Sequence, residues 1–327
     1  MLKFKLPSVA CLVLGLAAAA TAQTVKTQIN FSQPVAGVAV NPFTNLIYVV
    51  EPSFGGPNDT LAVVSGKTDQ VVNNISVPTG AYLPAINWIT NKIYIASCNT
   101  FVEPSPCFVT VVDGKRDRVV DQIPITSNPG NGLLGITVDL LRDKVYVSNA
   151  TDGVVDIIDG FANKITGMLS TSADSPTGLV VNPFNQRLYV PLGNSEIDIF
   201  DVKKKTLLGE ATFGSAASFA AVNLVTSDVY VTDSAIGPST TGVLDKNGSV
   251  VTSVPVGDTP YGLDVDPLTN RVFVASTALN TITVINGKTN TVTATVQGVP
   301  ATFVAVNLLT ERVYVTGGNS LTVLTEQ

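Results

Sequence analysis

The sequence predicts an all-β fold, a seven-bladed β-propeller of four-stranded antiparallel blades, and three observations support this prediction. A short motif recurs seven times, four strand patterns fit into each repeat, and no stretch after residue 22 shows helical periodicity. The repeats are about 43 residues long, which is typical of propeller blades with four short strands each.

Each repeat is marked by an aromatic residue that is followed by a small or β-branched apolar residue. The spacings between successive aromatic residues are 46, 52, 43, 41, 43 and 41 positions. Asn or Asp stands seven residues before every aromatic residue, and a turn lies between the two. We expect the aromatic rings to pack between blades and the Asn and Asp side chains to cap the turns. The aromatic residues are Tyr48, Tyr94, Tyr146, Tyr189, Tyr230, Phe273 and Tyr314, and the capping residues are Asn41, Asn87, Asp139, Asn182, Asn223, Asp266 and Asn307.

The strand patterns follow the same order in every repeat. A short apolar strand precedes the capped turn, as in residues 37–40, and the aromatic residue lies in the second strand. A third strand rich in Val, Ile and Thr follows, as in 60–64, and a second turn leads to a fourth strand, as in 71–77. This order predicts an antiparallel meander in each blade.

The two ends of the chain are predicted to share one blade. The last repeat, from Phe303 to Leu324, contains only three strand patterns, and Val25 to Phe31 match the missing fourth pattern. An N-terminal strand that completes the last blade would remove an open sheet edge and close the ring.

The first 22 residues have the features of a secretory signal peptide. Lys3 and Lys5 precede an apolar stretch, and Ala20-Thr21-Ala22 fits the cleavage pattern. The stretch is shorter than the ~20 residues that span a bilayer, and no later segment is long and apolar enough. We therefore expect a signal peptide at 1–22, a single propeller domain at 23–327, no transmembrane segment, and a secreted, periplasmic or cell-surface location.

The composition excludes several classes of function. The chain contains no histidine, which excludes Ser-His-Asp and Cys-His catalysis and His-ligated metal sites. From residue 23 onward, 17 Lys and Arg stand against 25 Asp and Glu, so nucleic acid is not an expected partner. No catalytic residue is predicted, and the composition favours a protein that is not an enzyme.

Two cysteines follow the predicted signal peptide. Cys98 and Cys107 are close in sequence, and in an exported chain such a pair is expected to form a disulfide that closes one loop. A metal site with two thiolates would lack further soft ligands.

The repeats resemble the YVTN family of β-propeller proteins. The resemblance rests on Tyr146-Val147-Ser148-Asn149, Tyr230-Val231-Thr232-Asp233 and Tyr314-Val315-Thr316-Gly317, and on the turns Asp113-Gly114-Lys115 and Asn286-Gly287-Lys288-Thr289. It covers nearly all of the chain after residue 22. It implies an exported or cell-envelope propeller of the surface-layer type, and it implies no catalytic residue.

Binding residues are expected where the repeats differ from one another. We call one end of the predicted ring the loop-rich face, because it carries the connections between the second and third strands and those between blades. Loops on a rigid scaffold often bind ligands, and two tyrosines stand near the mouth of the channel. One carboxyl group near the axis could face channel water, bind a cation or act as an acid with a raised pKa. The candidate ligand-binding residues are Glu51, Tyr82, Glu103, Asp174, Asp233, Tyr261 and Asp264.

Three functions remain open at this point. The favoured one is an exported, non-enzymatic scaffold that binds a protein, peptide or glycan at the loop-rich face. The second is a Ca²⁺-dependent hydrolase or lactonase at the central channel, since carboxylates can hold such an ion. The third is a component of a cell-surface array. No cofactor is predicted apart from Ca²⁺ in the second case, and no residue is assigned to a metal.

Overall fold

The computed structural model describes residues 23–99, 106–125, 132–173 and 175–326. The described chain is built from 28 β-strands in seven sheets. No helix in these ranges is long and apolar enough to cross a membrane. The predicted signal peptide lies outside the described residues.

Six blades consist of four consecutive strands each, numbered in chain order. Blade 1 contains β2 (Val38–Asn41), β3 (Leu46–Glu51), β4 (Asn58–Ser65) and β5 (Gln70–Pro78), and blade 2 contains β6 (Ala81–Asn87), β7 (Lys92–Cys98), β8 (Cys107–Asp113) and β9 (Arg118–Ile125). Blade 3 contains β10 (Leu133–Asp139), β11 (Lys144–Asn149), β12 (Val154–Asp159) and β13 (Lys164–Ser170), and blade 4 contains β14 (Val180–Asn182), β15 (Arg187–Pro191), β16 (Glu196–Asp201) and β17 (Thr206–Thr212). Blade 5 contains β18 (Ala217–Val222), β19 (Val229–Asp233), β20 (Pro238–Leu244) and β21 (Val250–Asp258), and blade 6 contains β22 (Pro260–Asp266), β23 (Arg271–Ser276), β24 (Thr281–Asn286) and β25 (Thr291–Gln297).

Blade 7 joins the two ends of the chain and closes the ring. It contains β26 (Phe303–Asn307), β27 (Arg312–Gly317), β28 (Ser320–Glu326) and, as its outer strand, β1 (Gln23–Asn30). β1 pairs antiparallel with β28 from Gln23 opposite Glu326 to Asn30 opposite Ser320. The predicted seven-bladed propeller and its closure by the N-terminal strand are therefore confirmed.

The predicted aromatic anchors fill the spaces between blades. All seven rings are buried, with at most 2% of the residue surface exposed. The hydroxyls of four anchors, Tyr48, Tyr94, Tyr230 and Tyr314, reach the turn between the third and fourth strands of the next blade. The Tyr94 hydroxyl, for example, donates to the Gly160 carbonyl at 3.3 Å. The anchors therefore hold neighbouring blades together, and burial of such large rings is a main source of stability.

The predicted capping residues have two roles. Asn41 Oδ1 accepts hydrogen bonds from the Phe43 and Thr44 amides, and the corresponding bonds recur in the other blades. In addition, Asn41 Nδ2 donates to Asn91 Oδ1 of the next blade at 2.7 Å. The same bond joins blades 2 and 3, 5 and 6, and 7 and 1. The capped turns thus form an inner ring of contacts between blades.

The strand order gives the propeller two different ends. The turns between the first and second strands and between the third and fourth strands lie at one end, which we call the turn face. The other connections lie at the loop-rich face. Cys98 and Cys107 form the predicted disulfide, and they stand opposite each other at the loop-rich ends of β7 and β8.

Candidate functional site

A channel runs along the axis of the ring between the innermost strands. Its wider part is a cavity of about 350 Å³ near the turn face, and a narrower part of about 120 Å³ lies toward the loop-rich face. The wider part is lined almost entirely by small and apolar side chains from all seven inner strands and their turns. Among the described residues that line it, Asp264 is the one charged group.

Asp264 bridges two neighbouring inner strands. Its Oδ1 accepts a hydrogen bond from the Val265 amide at 2.8 Å, and its Oδ2 accepts one from the Val306 amide in blade 7, also at 2.8 Å. Burial raises the pKa of Asp264 to about 6, although the two amide hydrogen bonds act in the opposite direction. The structure thus places this predicted site residue at the channel, where it joins blade 6 to blade 7.

Four aromatic side chains occupy the loop-rich end of the channel. The hydroxyls of Tyr82 and Tyr261, both predicted site residues, lie 3.1 Å apart. Phe303 lies against both tyrosine rings, with centroid distances of 5.7 Å and 5.4 Å, and Phe219 lies 4.6 Å from Tyr261. Desolvation by burial, followed by the proximity of Tyr261, raises the pKa of Tyr82 above its ordinary value. The two tyrosines therefore pack against each other and help to fill the channel mouth.

The two phenylalanines of this cluster were not among the residues predicted from the sequence. They stand eleven residues before the aromatic anchor, a position held by Gly in four repeats, Leu in one and Phe in two. The glycines leave room for the rings, since a Cβ atom on Gly178 would lie 2.1 Å from the Phe219 ring. Two repeats carry Phe where four repeats carry Gly, and this difference is the signal that could have revealed the cluster.

The predicted carboxylates of the loop-rich face each bind backbone amides nearby. Glu51 accepts hydrogen bonds from the Ser32 hydroxyl and the Gln33 amide. Asp233 accepts from the amides of Ser215, Ala216 and Ala235. These two side chains belong to different blades, and each holds the connection that leads into its own blade.

Two further carboxylates at the loop-rich end follow the same pattern. Asp59 accepts hydrogen bonds from three backbone amides, and Asp258 accepts one from the Gly237 amide. Glu103 and Asp174 lie outside the described residues. In the described ranges, no three acidic or cysteine side chains come together in a way that could hold a metal ion. The geometry therefore offers no specific observation in favour of the calcium alternative.

The turn face carries a set of exposed apolar side chains that sequence analysis also missed. Every repeat has a large apolar residue two positions after the capping Asn or Asp, and each of these residues is 54–70% exposed. The preceding residues line the rim of the channel cavity. We call the exposed set the apolar ring; it consists of Phe43, Ile89, Leu141, Phe184, Val225, Leu268 and Leu309. A comparison of this turn position across repeats would have revealed it.

Charge is divided unequally between the two faces. All 17 Lys and Arg after residue 22 lie in turns or in strand positions near the turn face, together with fourteen of the described acidic residues. In the described part of the loop-rich end, nine acidic residues lie in loops or within three residues of a strand end, and Lys and Arg are absent. These nine are Glu51, Asp59, Asp152, Asp156, Glu196, Asp198, Glu210, Asp233 and Asp258.

Many turn-face cations contact the neighbouring blade. Lys92 Nζ donates to the Gly160 carbonyl and to Asn163, Arg187 donates to the Lys246 carbonyl, and Arg312 donates to the Gly66 carbonyl. These bonds satisfy carbonyl groups in the turn of the next blade. The division of charge therefore follows in part from how the blades are joined.

Comparison with known proteins supports the fold alone. No protein-family model matches the chain, and no curated protein sequence matches it. The chain is similar in structure to a chain of the Kuenenia stuttgartiensis hydrazine synthase, with a TM-score of 0.75 and 15% sequence identity. The similarity covers 91% of this chain and 97% of that chain. It shows a seven-bladed propeller, and the resemblance to the YVTN family rests on the repeat motif.

Proposed function

We propose that this chain is an exported, non-enzymatic binding scaffold that holds a cationic protein or peptide at its loop-rich face. The observation that carries the proposal is the charge of this face: nine acidic residues, of which Asp59, Asp156, Asp198 and Asp233 are buried, and no Lys or Arg among the described residues there. A surface with one sign of charge attracts and orients partners of the opposite sign.

The hydrogen bonds of these carboxylates do not remove their charge. Asp59, Asp198 and Asp233 accept bonds from backbone amides or hydroxyls and pair with no Lys or Arg. The negative potential of the face is therefore fixed in space by the loops that the carboxylates cap. A rigid charged surface of this kind loses little conformational entropy when a partner binds.

The same face offers apolar contacts beside its charges. Phe54 and Ile236 are 61% and 98% exposed in the loops of blades 1 and 5, and Leu279 is exposed in blade 6. A peptide that combines Lys or Arg with apolar residues matches this surface better than a neutral glycan does. The structure contains the predicted disulfide between Cys98 and Cys107, and such a bond supports export to an oxidising compartment.

Fluorescence anisotropy with a labelled oligolysine peptide tests the charge requirement, with an oligoserine peptide as the neutral comparison. The wild-type protein should bind oligolysine more tightly, and binding should weaken as salt is added. Replacing Glu196→Lys and Glu210→Lys together should reduce the affinity several-fold. The matched control is Glu311→Lys, an exposed acidic residue of the turn face, which should leave the affinity unchanged. Equal binding of the two peptides, or equal loss in both variants, would overturn the proposal.

A further inference from the structure

We propose that the turn face docks on the surface of a lipid bilayer that contains anionic lipids. The loop-rich face would then point away from the bilayer toward solvent. This inference does not depend on the partner proposed for the loop-rich face, because different residues carry it.

The first step of the argument is the position of the apolar ring. Each of its residues lies within a capped turn, in which the Asn or Asp side chain accepts a hydrogen bond from the amide of the ring residue itself. The cap fixes the backbone, so the side chain is held outward at the same height in every blade. Seven large apolar groups in one plane form an exposed patch of the kind that marks an interaction surface.

The second step is the chemical variety of the ring. The position holds two Phe, one Ile, three Leu and one Val, whereas the next position is polar in all seven repeats. The ring residues share hydrophobicity and differ in shape. A fluid hydrocarbon layer requires hydrophobicity and places no demand on shape, whereas a tightly packed protein interface requires both.

The third step is the charge around the ring. The turns between the third and fourth strands of blades 1, 2, 4, 5 and 6 carry exposed lysines. We call these residues the basic rim: Lys67, Lys115, Lys203, Lys204, Lys246 and Lys288. The turn face carries 17 Lys and Arg against fourteen acidic residues, an excess of three positive charges. Lysines that surround an apolar patch are attracted to the anionic headgroups of a bilayer.

A second copy of the chain fits the same surface less well. Two turn faces would bring two basic rims together, and like charges oppose such contact. A turn face against a loop-rich face would be a head-to-tail contact that forms open-ended assemblies, and the ultracentrifugation experiment below tests for it. A bilayer can contact both groups at once, because its hydrocarbon region accommodates the apolar ring and its anionic headgroups attract the basic rim.

Vesicle sedimentation tests the inference with the purified chain from residue 23 onward, which contains every described strand. One set of vesicles consists of phosphatidylcholine alone, and the other contains equal parts of phosphatidylcholine and phosphatidylglycerol. The protein should sediment with the anionic vesicles and should do so less at high salt. The triple variant Phe43→Ser, Phe184→Ser, Leu268→Ser should lower the partition coefficient about tenfold or more.

The matched control makes the same change on the opposite face. Phe54→Ser, Ile236→Ser and Leu279→Ser remove three exposed apolar groups from loops of the loop-rich face, and binding should stay at the wild-type level. A second test variant, Lys203→Gln, Lys204→Gln and Lys246→Gln, should weaken binding to anionic vesicles while circular dichroism and melting stay unchanged. This variant keeps the inference testable if the serine variant folds poorly.

Three results would overturn the inference. The first is that neither kind of vesicle binds the wild-type protein. The second is equal loss of binding in the turn-face and loop-face serine variants. The third is concentration-dependent self-association, measured by analytical ultracentrifugation, that the ring variant abolishes while vesicles bind nothing; this result would assign the turn face to a second copy.

Discussion

The hydroxyl of Tyr82 in blade 2 lies 3.1 Å from the hydroxyl of Tyr261 in blade 6, although the two residues are 179 positions apart in the chain. Their contact crosses the loop-rich end of the channel, where Phe219 and Phe303 also pack. Phe219 and Phe303 line the narrower part of the channel, whereas Asp264 lies in the wall of the wider part near the turn face.

The Tyr82–Tyr261 contact should couple the two residues energetically. Tyr82→Phe or Tyr261→Phe alone leaves the other hydroxyl without this partner, whereas the double variant removes both groups. We expect a coupling free energy of about 1 kcal/mol from a double-mutant cycle of chemical unfolding. Additive effects of the two changes would show that the hydroxyls do not bond in solution.

Asp264 should make the stability of the propeller depend on pH. Its folded pKa of about 6 lies above the unfolded value of about 3.9, so the folded state binds the proton more tightly. The contribution of Asp264 to the free energy of unfolding is then highest below about pH 4 and falls by roughly 2 to 3 kcal/mol as the pH rises through about 6. Chemical unfolding over this range measures the fall, and Asp264→Asn should not show it. A constant difference between the two proteins at every pH would contradict the assignment.

Gly66 should be required for the contact between blades 7 and 1. A Cβ atom there would lie 2.8 Å from the Tyr314 hydroxyl and 2.2 Å from Asn45 Oδ1. We expect Gly66→Ala to lower the free energy of unfolding by about 1 to 3 kcal/mol, because the neighbouring blades must shift. Gly209→Ala is the control, since nothing lies within 4 Å of the added atom. Equal melting temperatures for the two variants would show that blade 7 adapts without cost.

The N-terminal strand should be essential for ring closure. Deleting Val25 to Phe31 removes most of β1 and leaves β28 as an open edge next to blade 6. Exposed edges of this kind pair with other chains, so we expect aggregation and loss of a cooperative melt. Size-exclusion chromatography and circular dichroism measure both. A monomeric deletion variant with a cooperative melt would show that three strands suffice in blade 7.

Much of the fold could be predicted from local sequence patterns because every blade repeats the same turns and strands. The spacing between Asn41 and Tyr48 recurs in all seven repeats, and each copy builds the same capped turn and the same buried ring. The disulfide was predictable for a similar reason, since Cys98 and Cys107 are close in sequence. Because the pattern occurs seven times, each copy supports the same prediction of the blade structure.

The candidate site was harder to predict because its residues come from different blades. The sequence identified Tyr82, Tyr261 and Asp264 as unusual, but it did not show that the tyrosines bond to each other or that Asp264 joins blade 6 to blade 7. Glu51 and Asp233 looked like free carboxylates and instead accept hydrogen bonds from amides of nearby loops. Such partners depend on how loops fold back, which residue spacing does not encode.

The sequence alone determined the number of blades, the strand order and the closure of the ring, because these follow from short-range patterns of turns and alternating strands. Only the tertiary structure decided which end of the channel is filled, which carboxylates cap loops, and which side chains form one exposed surface. Those features depend on contacts between residues that are far apart in the chain. Ring closure brings the seven copies of each repeat position into one circle, and only there do Phe43, Phe184 and Leu268 become parts of a single apolar ring.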